Sequence, residues 1–345
     1  MPVRGVVRAL ALVAVAALLA STPVAAGTIR VGQITDVGGI DDKSFNATAW
    51  RGIQQAIEEL GIEGRYLESQ QQTDYIKNIQ EFVTQRYDLI VTVGFLLGDA
   101  TKEMAERHPD RKFAILDFSY EPPLPNVLGM VFATDEAAFL AGYVAAAMTK
   151  TGTVATFGGL PIPPVTIFME GFEAGIKYYN QVKGTRVRLL GWNSQTQRGV
   201  FAGNFESTDD GRRIAESFFD EGADIVMPVA GPVGLGSAAA ARDRGAMIIG
   251  VDTDWYVSAP EFAGTYLTSV VKRMDVAVYD AVKMVLEGRF EGGTYVGTLA
   301  NGGVDIAPYH EYEEKVPAWL KAEVEQVRQK IIDGEIDIRA ILAGR

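Results

Sequence analysis

The sequence predicts an α/β protein of two doubly wound lobes, and three observations carry that expectation. Short apolar strand patterns alternate with helical patterns from residue 28 almost to the end, the rhythm of parallel strands covered by helices on both faces. The chain is too long for one ordinary core and fits two of about 150 residues each. Residues able to carry chemistry gather at strand-to-helix turns in two separate stretches, 36–46 and 203–207, so each lobe would supply one wall of a shared cleft.

Residues 1–26 read as a secretory signal peptide. Arg4 and Arg8 form a basic start, Ala9 to Ala20 an apolar stretch, and Pro23-Val24-Ala25-Ala26 a small-residue cleavage site. The stretch is too short and wrongly flanked for a stable membrane span; an uncleaved anchor is the alternative. Cleavage after Ala26 leaves about 319 of the 345 residues and, with two arginines gone, moves the formal net charge from −12 to −14. Such an acidic product is a poor partner for nucleic-acid polymers. The chain has no cysteine, which excludes disulfides, thiolate metal ligands, thiol catalysis and a cysteine-linked lipid anchor. With only His108 and His310, a His-based metal site or a Ser-His-Asp triad is nearly excluded, and no cofactor is expected.

In chain order, Thr28 to Ile34 suits a buried strand, and Trp50, Ile53, Ala56, Ile57 and Leu60 recur at helical spacing until Gly61 ends the helix. Further strands are expected at 89–93, 113–116, 127–132, 153–157, 187–190, 225–229, 247–251, 266–271 and 295–299. Helices are expected at 76–85, 100–107, 136–148, 168–179, 212–219, 238–244 and 274–286. An amphipathic tail helix over 316–332 would cap one lobe. No linker rich in Pro, Gly or Ser divides the chain, so it should cross between lobes more than once, near Ala133–Asp135, Asp252–Tyr256 and Gly288–Gly293. That gives residues 27–134 plus 255–289 as lobe 1 and 135–254 plus 290–345 as lobe 2.

Four constellations stand out. Asp36 follows the first strand, so its carboxylate would point from the sheet's carboxyl edge, where such folds bind ligands. Asp42, Ser44 and Asn46 can each cap the next helix. Phe45 among them is either a hydrophobic staple or a stacking platform for a flat ligand. Gly203-Asn204-Phe205-Glu206-Ser207 repeats the aromatic-before-cap arrangement, with Trp192 and Phe201 as competitors for the role. The run Ala230-Gly231-Pro232-Val233-Gly234-Leu235-Gly236, with Asp252 21 residues after Gly231, superficially matches a dinucleotide fingerprint. Its glycine spacing is wrong for one, and close backbone approach to a small ligand or mere helix–sheet packing are the better readings. Finally, Asp252, Lys272 and Asp117 fall at strand ends. An acid and an ammonium there could bridge vicinal hydroxyls or form an ion pair that latches the lobes.

These motifs, together with Glu136-Ala137-Ala138-Phe139-Leu140-Ala141-Gly142 and Thr268-Ser269-Val270-Val271-Lys272, resemble the BMP (basic membrane protein) family of ABC-transporter substrate-binding proteins, over roughly Ile29 to Pro308. The resemblance implies a type I periplasmic-binding-protein fold: two lobes, three crossover segments and a ligand in the cleft. In purine-binding members two phenylalanines sandwich the base; by motif these are Phe45 and Phe205. Carboxylates meeting base or ribose fall on Asp36, Asp117 and Asp252, a backbone contact on Gly231 and the ribose lysine on Lys272; Asn46 belongs to the same motif. The second aromatic motif departs from the usual Gly-Ser-Phe-x-Asp and follows an extra segment, Gly191 to Ala202. The expected protein is a non-enzymatic monomer, periplasmic or secreted, that hands a purine nucleoside to the transmembrane subunits of an ABC permease. The alternatives are a binder of a sugar, flavin or amino acid, a calcium-dependent secreted nucleoside hydrolase built on Asp36, Asp41 and Asp42, and a sensory module.

Overall fold

The computed structural model describes residues 28–344; the expected signal peptide lies outside them. The chain opens with strand β1 (Arg30–Ile34), helix α1 (Phe45–Leu60), β2 (Glu63–Leu67), α2 (Tyr75–Thr84), β3 (Leu89–Val93), α3 (Gly98–Arg107), β4 (Phe113–Leu116) and β5 (Val127–Phe132). It then crosses to α4 (Thr134–Met148), β6 (Thr153–Gly158), α5 (Pro163–Lys183), β7 (Arg188–Leu190), the small hairpin β8 (Trp192–Asn193) and β9 (Arg198–Gly199), and α6 (Thr208–Asp220). Next come β10 (Ile225–Val229), α7 (Val233–Arg244), β11 (Met247–Asp252), the single turn α8 (Trp255–Ser258) and β12 (Tyr266–Lys272). The remainder is α9 (Met274–Leu286), β13 (Gly293–Gly297), β14 (Val304–Ile306), α10 (Ala318–Ile332) and α11 (Ile338–Leu342).

Two six-stranded sheets result, ordered β13-β5-β4-β3-β1-β2 and β14-β12-β11-β10-β6-β7. Numbered within its own lobe, each reads 6-5-4-3-1-2, so the two lobes share one topology. Every pairing within the two sheets is parallel except β12 with β14. The central strands are mostly apolar, as strands covered on both faces tend to be: β3 (Leu-Ile-Val-Thr-Val) and β10 (Ile-Val-Met-Pro-Val) are buried at all five positions. Helix α4 is buried along most of its length because α5 packs on one side and α10 on another. Gly142, Gly171 and Gly175 make that contact possible: a Cβ at Gly175 would stand 2.0 Å from the Phe139 carbonyl oxygen. No helix among the described residues is long and apolar enough to cross a membrane.

The chain passes between lobes three times, at Ala133, at Arg273 and over 298–303, and the last two differ from expectation. Strand β12 was assigned to lobe 1 but pairs with β11 in the second sheet, while β13 was assigned to lobe 2 but pairs with β5 in the first. The physical reason lies in the segment after Asp252. Its 13 residues to Tyr266 hold only α8 and a short 3₁₀ stretch, yet about a dozen residues suffice to return a parallel strand beside its predecessor. That stretch is a crossover within the lobe rather than a bridge between lobes. Lobe 1 therefore comprises residues 28–132 and 274–297, and lobe 2 residues 134–272 and 304–344.

Candidate functional site

Ligands of doubly wound folds bind at the carboxyl ends of the strands, where the strand order reverses. In lobe 1 that point lies between β1 and β3, in lobe 2 between β6 and β10. The turns after those four strands face one another across a cleft holding about 620 Å³ of space not filled by protein, part of it open to solvent. All eight residues singled out in the sequence line it: Asp36, Phe45, Asn46 and Asp117 from lobe 1, and Phe205, Gly231, Asp252 and Lys272 from lobe 2.

On the lobe 1 wall, Asp42 organises the turn. Its carboxylate accepts N–H bonds from Ser44, Asn46 and Ala47 at 2.7–3.0 Å and so caps α1, the role for which three residues competed. Burial nevertheless pushes its carboxyl up to about 7, because those donors offset only part of the lost hydration. The cap fixes Asn46, whose Nδ2 donates to Asp36 Oδ1 at 2.8 Å; the Gly38 N–H donates to the same oxygen at 3.0 Å. The buried Asn46 Oδ1 has no partner among the described residues. Burial also raises the Asp36 carboxyl, with the Asp117 and Asp252 charges adding to the effect. Phe45 opens α1 with its ring against the Lys272 ammonium, 4.7 Å from Nζ to the ring centroid.

Asp117 and Asp252 occupy matching places, each at the carboxyl end of its lobe's fourth strand, and both have positive φ, 60° and 68°. Left-handed backbone is uncommon outside glycine and costs energy, and both residues turn their carboxylates onto one lysine. Lys272 Nζ donates to Asp117 Oδ2 at 2.7 Å across the lobes and lies 3.4 Å from Asp252 Oδ1 within its own. Burial alone would depress its pKa; the two carboxylates reverse that and raise it. Asp117, held above its ordinary value by burial, is drawn back by the ammonium. The latch reading thus describes a real contact, reinforced by Ser44 Oγ donating to Asp252 Oδ2 at 3.1 Å, Lys43 on Glu261 at 2.7 Å and Arg51 on Thr253 Oγ1 at 2.8 Å, all across the lobes.

On the lobe 2 wall, Asn204 accepts the N–H bonds of Glu206 and Ser207, and Ser207 Oγ caps α6 by accepting from the Asp210 N–H. The Phe205 ring packs against Gly159, where a Cβ would meet ring carbon Cε1 at 2.2 Å. Of its competitors, Trp192 is buried and meets Phe201 edge-on at 6.2 Å; neither lines the cleft. Gly231 has φ 54°, a turn that brings its backbone to the cleft.

Sequence reasoning missed Phe168, Pro164 and Val165, which line the cleft from the first turns of α5. Phe168 was counted as the start of a core helix. The Pro163-Pro164 pair was the available signal, since proline favours the first helical position and would have moved the helix start five residues earlier. Among the described residues no three His, Asp or Glu side chains converge as a metal site requires.

A family model described as "ABC transporter substrate-binding protein PnrA-like" matches residues 29–341. The chain belongs to this family, Bmp. Among its relatives, the Lactococcus lactis "ABC transporter nucleoside-binding protein BmpA" is 30% identical, with 90% of this chain and 89% of the relative covered. The Listeria monocytogenes "CD4+ T-cell-stimulating antigen" is 32% identical over 89% of this chain and 87% of its own length. Among solved structures, an ABC transporter solute-binding protein from Aeropyrum pernix superimposes with a TM-score of 0.82 at 29% identity, covering 92% of this chain and 98% of the other. This Bmp-family chain is therefore an extracytoplasmic substrate-binding protein of the ABC-transporter type, with the lobed architecture of periplasmic binding proteins.

Proposed function

We propose that the cleft binds a purine nucleoside, which the protein delivers to its ABC permease. One observation carries the reading: Phe45 and Phe205, from opposite lobes, line a single cleft whose remaining polar groups are mostly acceptors. Two rings suit a planar heterocycle, and base–aromatic stacking is worth about 1–3 kcal/mol per base. Asp36 Oδ2 takes no hydrogen bond from the described residues, which leaves it as an acceptor for the base edge. Asp117, Asp252 and Lys272 present both acceptors and donors, the combination that vicinal hydroxyls of a ribose require. The relative from Lactococcus lactis supports the same ligand class by its description as nucleoside-binding. No residue is assigned a catalytic role. Residues 1–26 act as an export signal, so the mature protein begins at Gly27 and works outside the cytoplasm.

Calorimetry of the mature protein with inosine, guanosine, adenosine, free purine bases and simple sugars tests the reading. Nucleosides should bind, and Phe45→Ala should weaken them roughly 10- to 100-fold. Heat with a sugar and none with any nucleoside would overturn it.

A further inference from the structure

The turn after β11 presents Asp252 to the cleft, and its backbone is strained. The Thr253 N–H donates to the Val251 carbonyl at 2.8 Å, so Val251, Asp252 and Thr253 form a γ-turn whose central residue, Asp252, has φ 68°. A γ-turn with positive central φ is the rare and costly form, and it persists only where its surroundings over-determine it. Some of those surroundings are local. Trp255 Nε1 donates to the same Val251 carbonyl at 2.8 Å, and the Trp255 N–H donates to Ser269 Oγ at 3.1 Å.

A further constraint comes from far along the chain. Asp254 has both carboxylate oxygens engaged: Oδ1 accepts the Tyr256 N–H at 3.1 Å, and Oδ2 lies 2.7 Å from His310 Nε2. The facing carboxylate assigns the hydrogen to Nε2, which donates. The Tyr256 ring stacks on the same imidazole, with centroids 4.0 Å apart and planes 7° from parallel. His310, 56 residues beyond Asp254, is thus held at its edge by one residue of the turn and across its face by another. It has φ 44°, so both segments adopt unfavourable backbone to make this contact. Its own approach is fixed on β12, where the Ala307 N–H donates to the Ser269 carbonyl at 2.8 Å and Thr268 Oγ1 donates to the Ala307 carbonyl at 2.7 Å.

From this we infer that His310 is a positioning residue for the cleft: acting through Asp254, it braces the γ-turn and so sets where the Asp252 carboxylate stands. His310 is not among the cleft's described lining residues, so it acts without touching the ligand. Freed of the brace, the turn relaxes, and Asp252 leaves its places 3.4 Å from Lys272 Nζ and 3.1 Å from Ser44 Oγ. The consequence for binding rests on the nucleoside reading, in which Asp252 meets the ribose; the brace itself does not.

Amide hydrogen exchange of the mature protein without ligand tests the brace. In His310→Ala the Thr253 N–H should exchange about tenfold faster than in the parent, with the amides of β3 in lobe 1 unchanged. His310→Gln, whose side-chain amide still donates to Asp254, should recover part of that protection. Unchanged exchange at Thr253 in His310→Ala overturns the brace. If His310→Ala does not fold, Tyr256→Leu decides: it keeps the hydrogen bond and loses the stack, and exchange no faster than in the parent overturns the brace. Inosine titration tests the consequence. His310→Ala should weaken binding about tenfold, and in an Asp252→Asn background the same change should weaken it no more than about twofold further, because its route is already cut. A further tenfold loss in that background overturns the route through Asp252. A parent that binds no nucleoside overturns the proposed function, and the exchange result alone then decides the brace.

Discussion

Replacing Lys272 by methionine removes the one ammonium that two buried carboxylates share. The side chain is 2% exposed, with Nζ 2.7 Å from Asp117 Oδ2 and 3.4 Å from Asp252 Oδ1. At an effective dielectric constant of about 20, those separations correspond to gross attractions of roughly 6 and 5 kcal/mol. Desolvation of the three charges offsets most of that, but removing one partner strands the others, at a cost of about 3–5 kcal/mol. Lys272→Met should therefore lose about that much stability in urea unfolding at mildly alkaline pH. The pH dependence has a definite sign. Burial holds the folded Asp117 carboxyl above its unfolded value, and the ammonium is what draws it back. Without the ammonium the folded value climbs further, so the penalty is full at high pH and fades as pH falls through it. Lys272 itself is raised against the pull of burial, so its stabilising share persists below its unfolded pKa and is lost only in strong alkali. The gap between parent and variant is thus widest at mildly alkaline pH and narrows in acid. Adding Asp117→Asn should recover part of the loss. A variant within about 1 kcal/mol of the parent at mildly alkaline pH, or a gap that widens in acid, refutes the reasoning.

Other perturbations separate stability from binding. Asp36 has a folded pKa raised by burial, so its ionised form costs stability as pH rises above the unfolded value. Asp36→Asn should raise the melting temperature at alkaline pH, with the difference vanishing toward acid, while weakening the ligand; differential scanning calorimetry checks the first and titration the second. Gly159→Ala would push a methyl group into the Phe205 ring, which can swing aside, so nucleoside affinity should fall about tenfold with little change in unfolding. The Lys43–Glu261 pair is exposed, at 45% and 42%, so Lys43→Glu should change urea stability by no more than about 1 kcal/mol.

The layer architecture was legible because parallel strands buried on both faces leave a local mark, an apolar run such as Leu89–Val93 followed by a helical repeat. Strand β2 left none: Glu63–Leu67 is half exposed at the sheet edge and reads as polar loop. Which sheet a strand joins has no local signature either, and that is why β12 and β13 changed lobes. The site was more legible than the sheet order, since carboxylates at strand ends and aromatic rings beside helix caps are anomalies at the level of single residues. An acid–lysine ion pair was expected, but nothing local says that Asp117, 155 residues before Lys272, is the carboxylate that reaches it across the lobes while Asp252 does so within its own.

That pairing ties the cleft to the crossing segments. Lys272 ends β12, and the next residue, Arg273, begins the passage back to lobe 1, its N–H held by the Gly303 carbonyl of the third crossing. Asp117 belongs to the other lobe, so the bond between Lys272 and Asp117 spans the two lobes and would be strained by any rotation that separates the two strand ends. An opened Asp117 would regain water and an opened Lys272 would keep Asp252, which makes the ion pair alone a weak reason to stay shut. A ligand whose hydroxyls touch Asp117 from one lobe and Asp252 and Lys272 from the other meets all three groups only when the lobes are together. Only such differential contact can shift the equilibrium toward closure. The strained backbone at Asp117 and Asp252 is then explained by geometry: two matching strand ends, one in each lobe, must turn inward to reach one point beside the crossings.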